Sequence, residues 1–156
     1  MDRSLIITLL TQGRDDLVRT AQAMPQDKLA WRPLDNGRSV LDLLGDAAQR
    51  PRLVLGMIDP DSGFVLSPDT TAQLRQERAG WTREECLQTL DAGIDALLAY
   101  LNALSDEELS RPLTLPVRGA ITLPIAGWFV VVYRTFVARF AQINYVQILY
   151  GDFEMH

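Results

Sequence analysis

Residues 82–104, TREECLQTLDAGIDALLAYLNAL, decide the fold. Thr82 and Glu85 form a capping-box pattern, in which each side chain reaches the other's free backbone amide and so starts a helix. Leu87, Leu90, Ile94, Leu97, Leu101 and Leu104 then recur every three or four residues. That spacing lays a narrow apolar stripe along one helix face, the geometry by which helices pack in a bundle.

Three other segments carry the same period. Arg3 to Met24 places Ile6, Leu10, Leu17 and Ala21 on one face and is stopped by Pro25. A second helix starts after the N-cap Ser39, with Asp42 in its first turn where a negative charge suits the helix dipole. It carries Val40, Leu43, Leu44, Ala47, Val54 and Met57 and stops near Ile58, with a kink expected at Pro51. The last helix is expected to take Pro124 into its first turn and to run to about Tyr150, with Gly151 as its stop. The reading is therefore all-α: a single domain over residues 1–156, a four-helix bundle with long crossover linkers. Of those linkers, Asp59–Gly80 has room for about one helical turn near Thr71–Arg78. Residues 113–122 can form a short hairpin about Arg118-Gly119.

Composition bounds the function. A chain of 156 residues, 47% hydrophobic and 22% charged, can bury a core without disulfides or metal staples. Its net charge of −5 and scattered basic residues argue against a nucleic-acid partner. Arginine supplies every basic side chain except Lys28, a bias that fits a GC-rich bacterial genome. The most apolar run, Ala120 to Tyr133, is interrupted by Pro124 and Gly127 and is too short to span a bilayer. No secretion signal is recognisable, so a cytoplasmic protein without membrane partners is the expectation. Cys86 is the only cysteine and His156 the only histidine, which excludes a disulfide framework and a Ser-His-Asp or Cys-His arrangement. Cys86 reads as a buried filler, Glu84, Glu85, Asp91 and Asp95 as solvated helix faces, and Trp31, Trp81 and Trp128 as packing at helix ends or linkers.

The inward rows hold two anomalies. Ile125, Phe129, Val132, Phe136, Arg139, Ile143, Val146 and Tyr150 follow one another on the last helix, and Leu43, Asp46, Arg50, Leu53 and Met57 on the second. Taken singly, Arg139 or Asp46 is a helix-edge charge snorkelling to water; taken together they are an acid and a base facing each other between two helices. A buried pair of that kind roughly breaks even on stability, so it speaks more to specificity or ligand binding than to folding.

The segment Leu29–Asp46, LAWRPLDNGRSVLDLLGD, resembles the signature of the DinB/YfiT-like bundle superfamily, with its Trp-Arg-Pro, its Gly and Ser before the second helix, and its Leu-Gly-His within it. Arg139-Phe140-Ala141-Gln142-Ile143 and the closing Leu149-Tyr150-Gly151 are similar to that family's His-x-Gly-Gln-Ile pattern and ending. The resemblance implies a metal bound by three histidines, and the matching positions here hold Asp46, Thr135 and Arg139. With a fixed positive charge at one of them, neither a metal nor a cofactor is expected. A non-catalytic or small-ligand-binding member is the reading that follows. Its candidate residues are Asp46, Thr135, Arg139 and Gln142, and its ligand is a small anion that an arginine fork can grip by two oxygens. The resemblance also implies the alternative, a thiol-dependent S-transferase or isomerase-type enzyme. A structural homodimer is the third reading. Residues 128–133 are apolar all round and Val137, Phe140 and Ile148 extend a second apolar face, which places the last helix centrally or beneath a partner copy.

Overall fold

The computed structural model describes residues 2–117 and 119–156. Four long helices form the bundle: α1 (Arg3–Ala23), α2 (Val40–Ile58), α4 (Arg83–Ala103) and α6 (Ile125–Leu149), with two shorter ones, α3 (Thr70–Glu77) and α5 (Asp106–Ser110), in the connections. β1 (Pro112–Leu115) pairs antiparallel with β2 (Ile121–Pro124), Leu113 opposite Leu123 and Leu115 opposite Ile121. The hairpin thus forms; of its expected turn, Arg118 lies outside the described residues.

The expected caps are in place. Thr82 Oγ1 accepts from the Glu85 amide while Glu85 Oε2 accepts from the Thr82 amide at 2.7 Å, and Ser39 Oγ accepts from the Asp42 amide. Leu90, Ile94, Leu97 and Leu101 of α4 are fully buried; at the start of the stripe Cys86 occupies the core position and Leu87 is half-exposed beside it. Burial first, and Glu85 second, pushes the Cys86 thiol up to about 12, so it packs as a neutral group.

Two local readings need correction, and one short helix was not foreseen. Pro124 is not in the first turn of α6: it is the last paired residue of β2, opposite Pro112, with an extended ψ of 152°, and serves as the N-cap. Thr70–Glu77 makes two turns, more than the one expected, and α5, hidden in a linker too short to show a period, starts with its own capping box from Ser105 and Glu108. Helix α2 continues through Pro51, whose ring lies so close to α4 that a Cβ on Gly93 would come within 3.2 Å of it. At the far end, Gly151 takes φ 99°, its amide donates to Ile148 and the Asp152 amide to Gln147. This pair of bonds closes α6 with the left-handed turn that glycine adopts at no steric cost.

Packing departs from up-down order. Helix α1 packs on α6 and α4, and α2 packs on α4 and α6, so the consecutive helices α1 and α2 lie diagonally across the bundle. Two arginines lock α1 to α4 end against end. Arg3, in the first turn of α1, donates to the carbonyls of Leu101, Asn102 and Leu104 at the end of α4. Arg83, in the first turn of α4, donates to those of Ala21 and Met24 at the end of α1. Neither helix has a basic residue in its own last turn, so each supplies the cation that the other's carbonyl end favours. Thr82→Ala and Arg83→Ala are each expected to lower stability by about 1 kcal/mol in urea unfolding, with the m-value unchanged.

Candidate functional site

Asp46 and Arg139 are in contact. Arg139 Nε donates to Asp46 Oδ2 at 2.8 Å, and Arg139 Nη2 stands 2.6 Å from the same oxygen. Both side chains are mostly buried, 16% exposed for Asp46 and 20% for Arg139. Gln142, one turn along α6, accepts from Arg139 Nη1 at 2.7 Å and so holds the far side of the guanidinium. Thr135 does not join them; its hydroxyl donates to the Val131 carbonyl of its own helix at 3.1 Å.

The cluster is larger than the pair. Arg38 and Arg78 both donate to Asp42, Arg78 at 2.9 Å, while Arg38, Arg50 and Arg78 each come within 3.8 Å of Asp46. Four guanidiniums therefore face two carboxylates, and the cluster carries two positive charges in excess inside a protein that is negative overall. Burial works to raise the Asp46 carboxyl pKa, but the Arg139 hydrogen bond and charge, with Arg50 and Arg38 behind it, outweigh burial and hold it below the ordinary carboxylate range. Asp42 is held down against burial in the same way by Arg38 and Arg78.

Arg78, only 6% exposed, caps the C-terminus of α3 and anchors that helix to α2. Its Nη1 donates to Gln49 Oε1, and Gln49 Nε2 donates in turn to the Leu74 carbonyl and to Glu77, which also pairs with Arg52. Gly45 makes room for its stem: a Cβ there would meet Arg78 Cδ at 3.0 Å. Thus α3, in which Thr70 is the one buried residue, is held to α2 largely by polar side chains.

Behind the cluster, between α2, α3, the hairpin and α6, opens a cavity of about 580 Å³. Asp46, Arg50 and Arg78 are its charged lining, and the other walls are largely apolar, Leu53, Met57, Leu74, Trp128 and Val131 among them, with Ser67, Thr70 and Thr71 adding hydroxyls. Of the four residues singled out from sequence, Asp46 lines this cavity; Thr135, Arg139 and Gln142 do not. Arg50 was visible one turn beyond Asp46 on the same row. Asp42 was visible too, though only as a helix-dipole residue. Arg78, in an aperiodic linker, gave no signal.

These residues do not fit a divalent metal. Asp46 already accepts from Arg139, the Thr135 proton is turned to a carbonyl, and a guanidinium offers donors alone. Among the described residues no three His, Cys, Asp or Glu side chains converge.

A four-helix bundle with crossed connections and an interior polar cluster at the α2–α6 contact is the class of protein these features define. The chain belongs to the DinB superfamily, whose family model matches residues 9–134. Among solved structures it is similar to YfiT from Bacillus subtilis, described as "a probable metal-dependent hydrolase with an unusual four-helix bundle topology" (TM-score 0.70, 18% identity, 96% of this chain and 87% of that one). It is also similar to the mycothiol-dependent maleylpyruvate isomerase and to a histidine-to-alanine mutant of that enzyme (each TM-score 0.69, 12% identity, 92% of this chain). The chain spans 61% of the isomerase's length, and at such identities the likeness shows the fold alone. No curated protein matches. Among the described residues no helix is long and apolar enough to cross a membrane.

Because the folded Asp46 carboxyl titrates below its unfolded value, its contribution to stability is complete above about pH 4 and is lost as pH falls through the folded pKa. Asp46→Asn is expected to lower stability at pH 7 by about 1–3 kcal/mol and to flatten this acid limb, as followed by urea unfolding between pH 2 and 7.

Proposed function

We propose that this DinB-superfamily protein is a non-catalytic binder of small anionic ligands, in which a polar contact between Asp46 and Arg139 stands where relatives of the family hold a metal. The observation that carries this reading is the occupancy of Asp46. The one carboxylate available at the position takes two close contacts from Arg139, at 2.8 and 2.6 Å, with three further guanidiniums around it. A cation arriving there would have to displace a fixed positive charge and then find further ligands. An anion meets the opposite situation, since the cluster is two negative charges short and opens on a cavity. Cavities of 300–1,000 Å³ with a few convergent polar groups are the usual form of small-molecule sites.

A thiol-dependent transferase reading draws on the isomerase likeness, which carries fold and no chemistry. The homodimer reading is supported by exposed apolar side chains on α6, Val137, Tyr145, Ile148 and Leu149 among them.

After incubation with excess zinc or nickel and removal of free ions, elemental analysis is expected to find well under one metal per chain. Stoichiometric metal that disappears in Asp46→Ala overturns the proposal. In a thermal-shift screen of small acids, phosphates and low-molecular-weight thiols, the expected hits are anions, and a ligand at a hundred times its Kd stabilises by about 2.7 kcal/mol. For the dimer, light scattering is expected to give twice the chain mass, reverting to the monomer in Val137→Glu/Ile148→Glu.

A further inference from the structure

Arg50 is the least satisfied charge in the cluster. Its nearest carboxylate oxygen, Asp46 Oδ1, is 3.8 Å from Nη2, beyond hydrogen-bonding distance, and its Nε is buried with no hydrogen-bond partner among the described residues. Burial, with Arg139, Arg78 and Arg134 nearby, opposes its charge, and Asp46 alone supports it. Arg139 takes Asp46 Oδ2, and the other oxygen, Oδ1, stands 3.8 Å from both Arg50 and Arg78 without a hydrogen bond to either. A guanidinium that is 27% exposed and short of an acceptor still costs the fold, and it gains when an acceptor arrives. Arg50 lines the cavity with Arg78 and Asp46, and the remaining walls are mostly apolar, Leu53, Met57, Leu66, Leu74, Trp128 and Val131 among them, with the hydroxyls of Ser67, Thr70 and Thr71 on the α3 side. Trp128 can offer little polarity there, since its Nε1 already donates to the Leu113 carbonyl.

Resting on the anion-binding reading above, we infer that the ligand is an amphipathic carboxylic acid, its carboxylate on Arg50 beside Arg78 and its apolar body in the chamber between α2, α3 and α6. An inorganic or fully polar anion would satisfy Arg50 and leave the apolar walls uncovered. A neutral apolar molecule would cover the walls and leave the guanidinium short. The ligand class that does both carries one anionic head on a hydrocarbon body. Arg50 is the residue that grips it and Asp46, held aside by Arg139, is the like charge that limits the head to a small monoanion.

The test is calorimetric titration of the full chain with butyrate, octanoate and decanoate below their micellar range, with decanol, decyltrimethylammonium and inorganic phosphate as comparisons. One-to-one binding that tightens with chain length is expected, with decanol and the ammonium at least tenfold weaker than decanoate. Arg50→Gln is expected to weaken decanoate ten- to a hundredfold, the loss of one charge-assisted contact, and Arg50→Lys to fall between. Without ligand, Arg50→Gln should melt no lower than the natural chain, which separates a binding role from a structural one. Equal affinity for decanol, or decanoate binding unchanged in Arg50→Gln, overturns the inference. Binding of phosphate or butyrate as tight as decanoate overturns the amphipathic class and leaves the anion-binding reading standing. Absence of binding by every anion overturns both.

Discussion

A carboxylate buried between two helices must be compensated, and Asp46 is the group around which this interior is arranged. Compensation comes from both sides of the bundle: Arg139 from α6, Arg38 from the approach to α2, Arg50 from α2 itself and Arg78 from the end of α3. Each arginine that answers Asp46 also needs its own partners, and so Asp42, Gln49 and Gln142 are drawn in. Asp46 joins α2 to α6 through Arg139, while α3 is seated on α2 through Arg78, which bonds to Asp42 and Gln49. A buried network of this sort contributes little net stability but strongly penalises any arrangement that leaves a member alone.

The bundle was legible because its signals are local and periodic. Thr82 with Glu85 gave the start of α4, the row from Leu90 to Leu101 gave its face, and the burial of Ile6, Leu10, Leu17 and Ala21 follows the spacing of α1. Of the polar cluster, sequence could pair Asp46 with Arg139 because each broke an apolar row. It could not find Arg78, whose position depends on how a linker without periodicity folds back over Gly45. Nor could it show that Arg139 is spent on Asp46 and Gln142, which moves the open cation to Arg50. Pro124 was misread for a related reason: a proline suits both a helix start and an edge strand, and pairing with Pro112 decided between them.

The residues gathered at one contact between helices set the sign of charge that the contact can accommodate. A metal centre gathers electron-pair donors about a cation. Here guanidiniums gather about carboxylates, so the empty capacity left over is for negative charge.

The diagonal placement of α1 and α2 bears on how the chain reaches this state. In an up-down bundle the first two helices form a hairpin as soon as both exist. Here α1 and α2 hardly touch, and α1 packs chiefly on α6, which begins at Ile125. On a ribosome adding roughly 5–20 residues per second, α1 waits on the order of 5–20 s for that partner. During that interval Ile6, Leu10 and Leu17 lack the cover that α6 supplies. Closing such distant contacts also slows folding relative to helical bundles whose neighbours in sequence are neighbours in space.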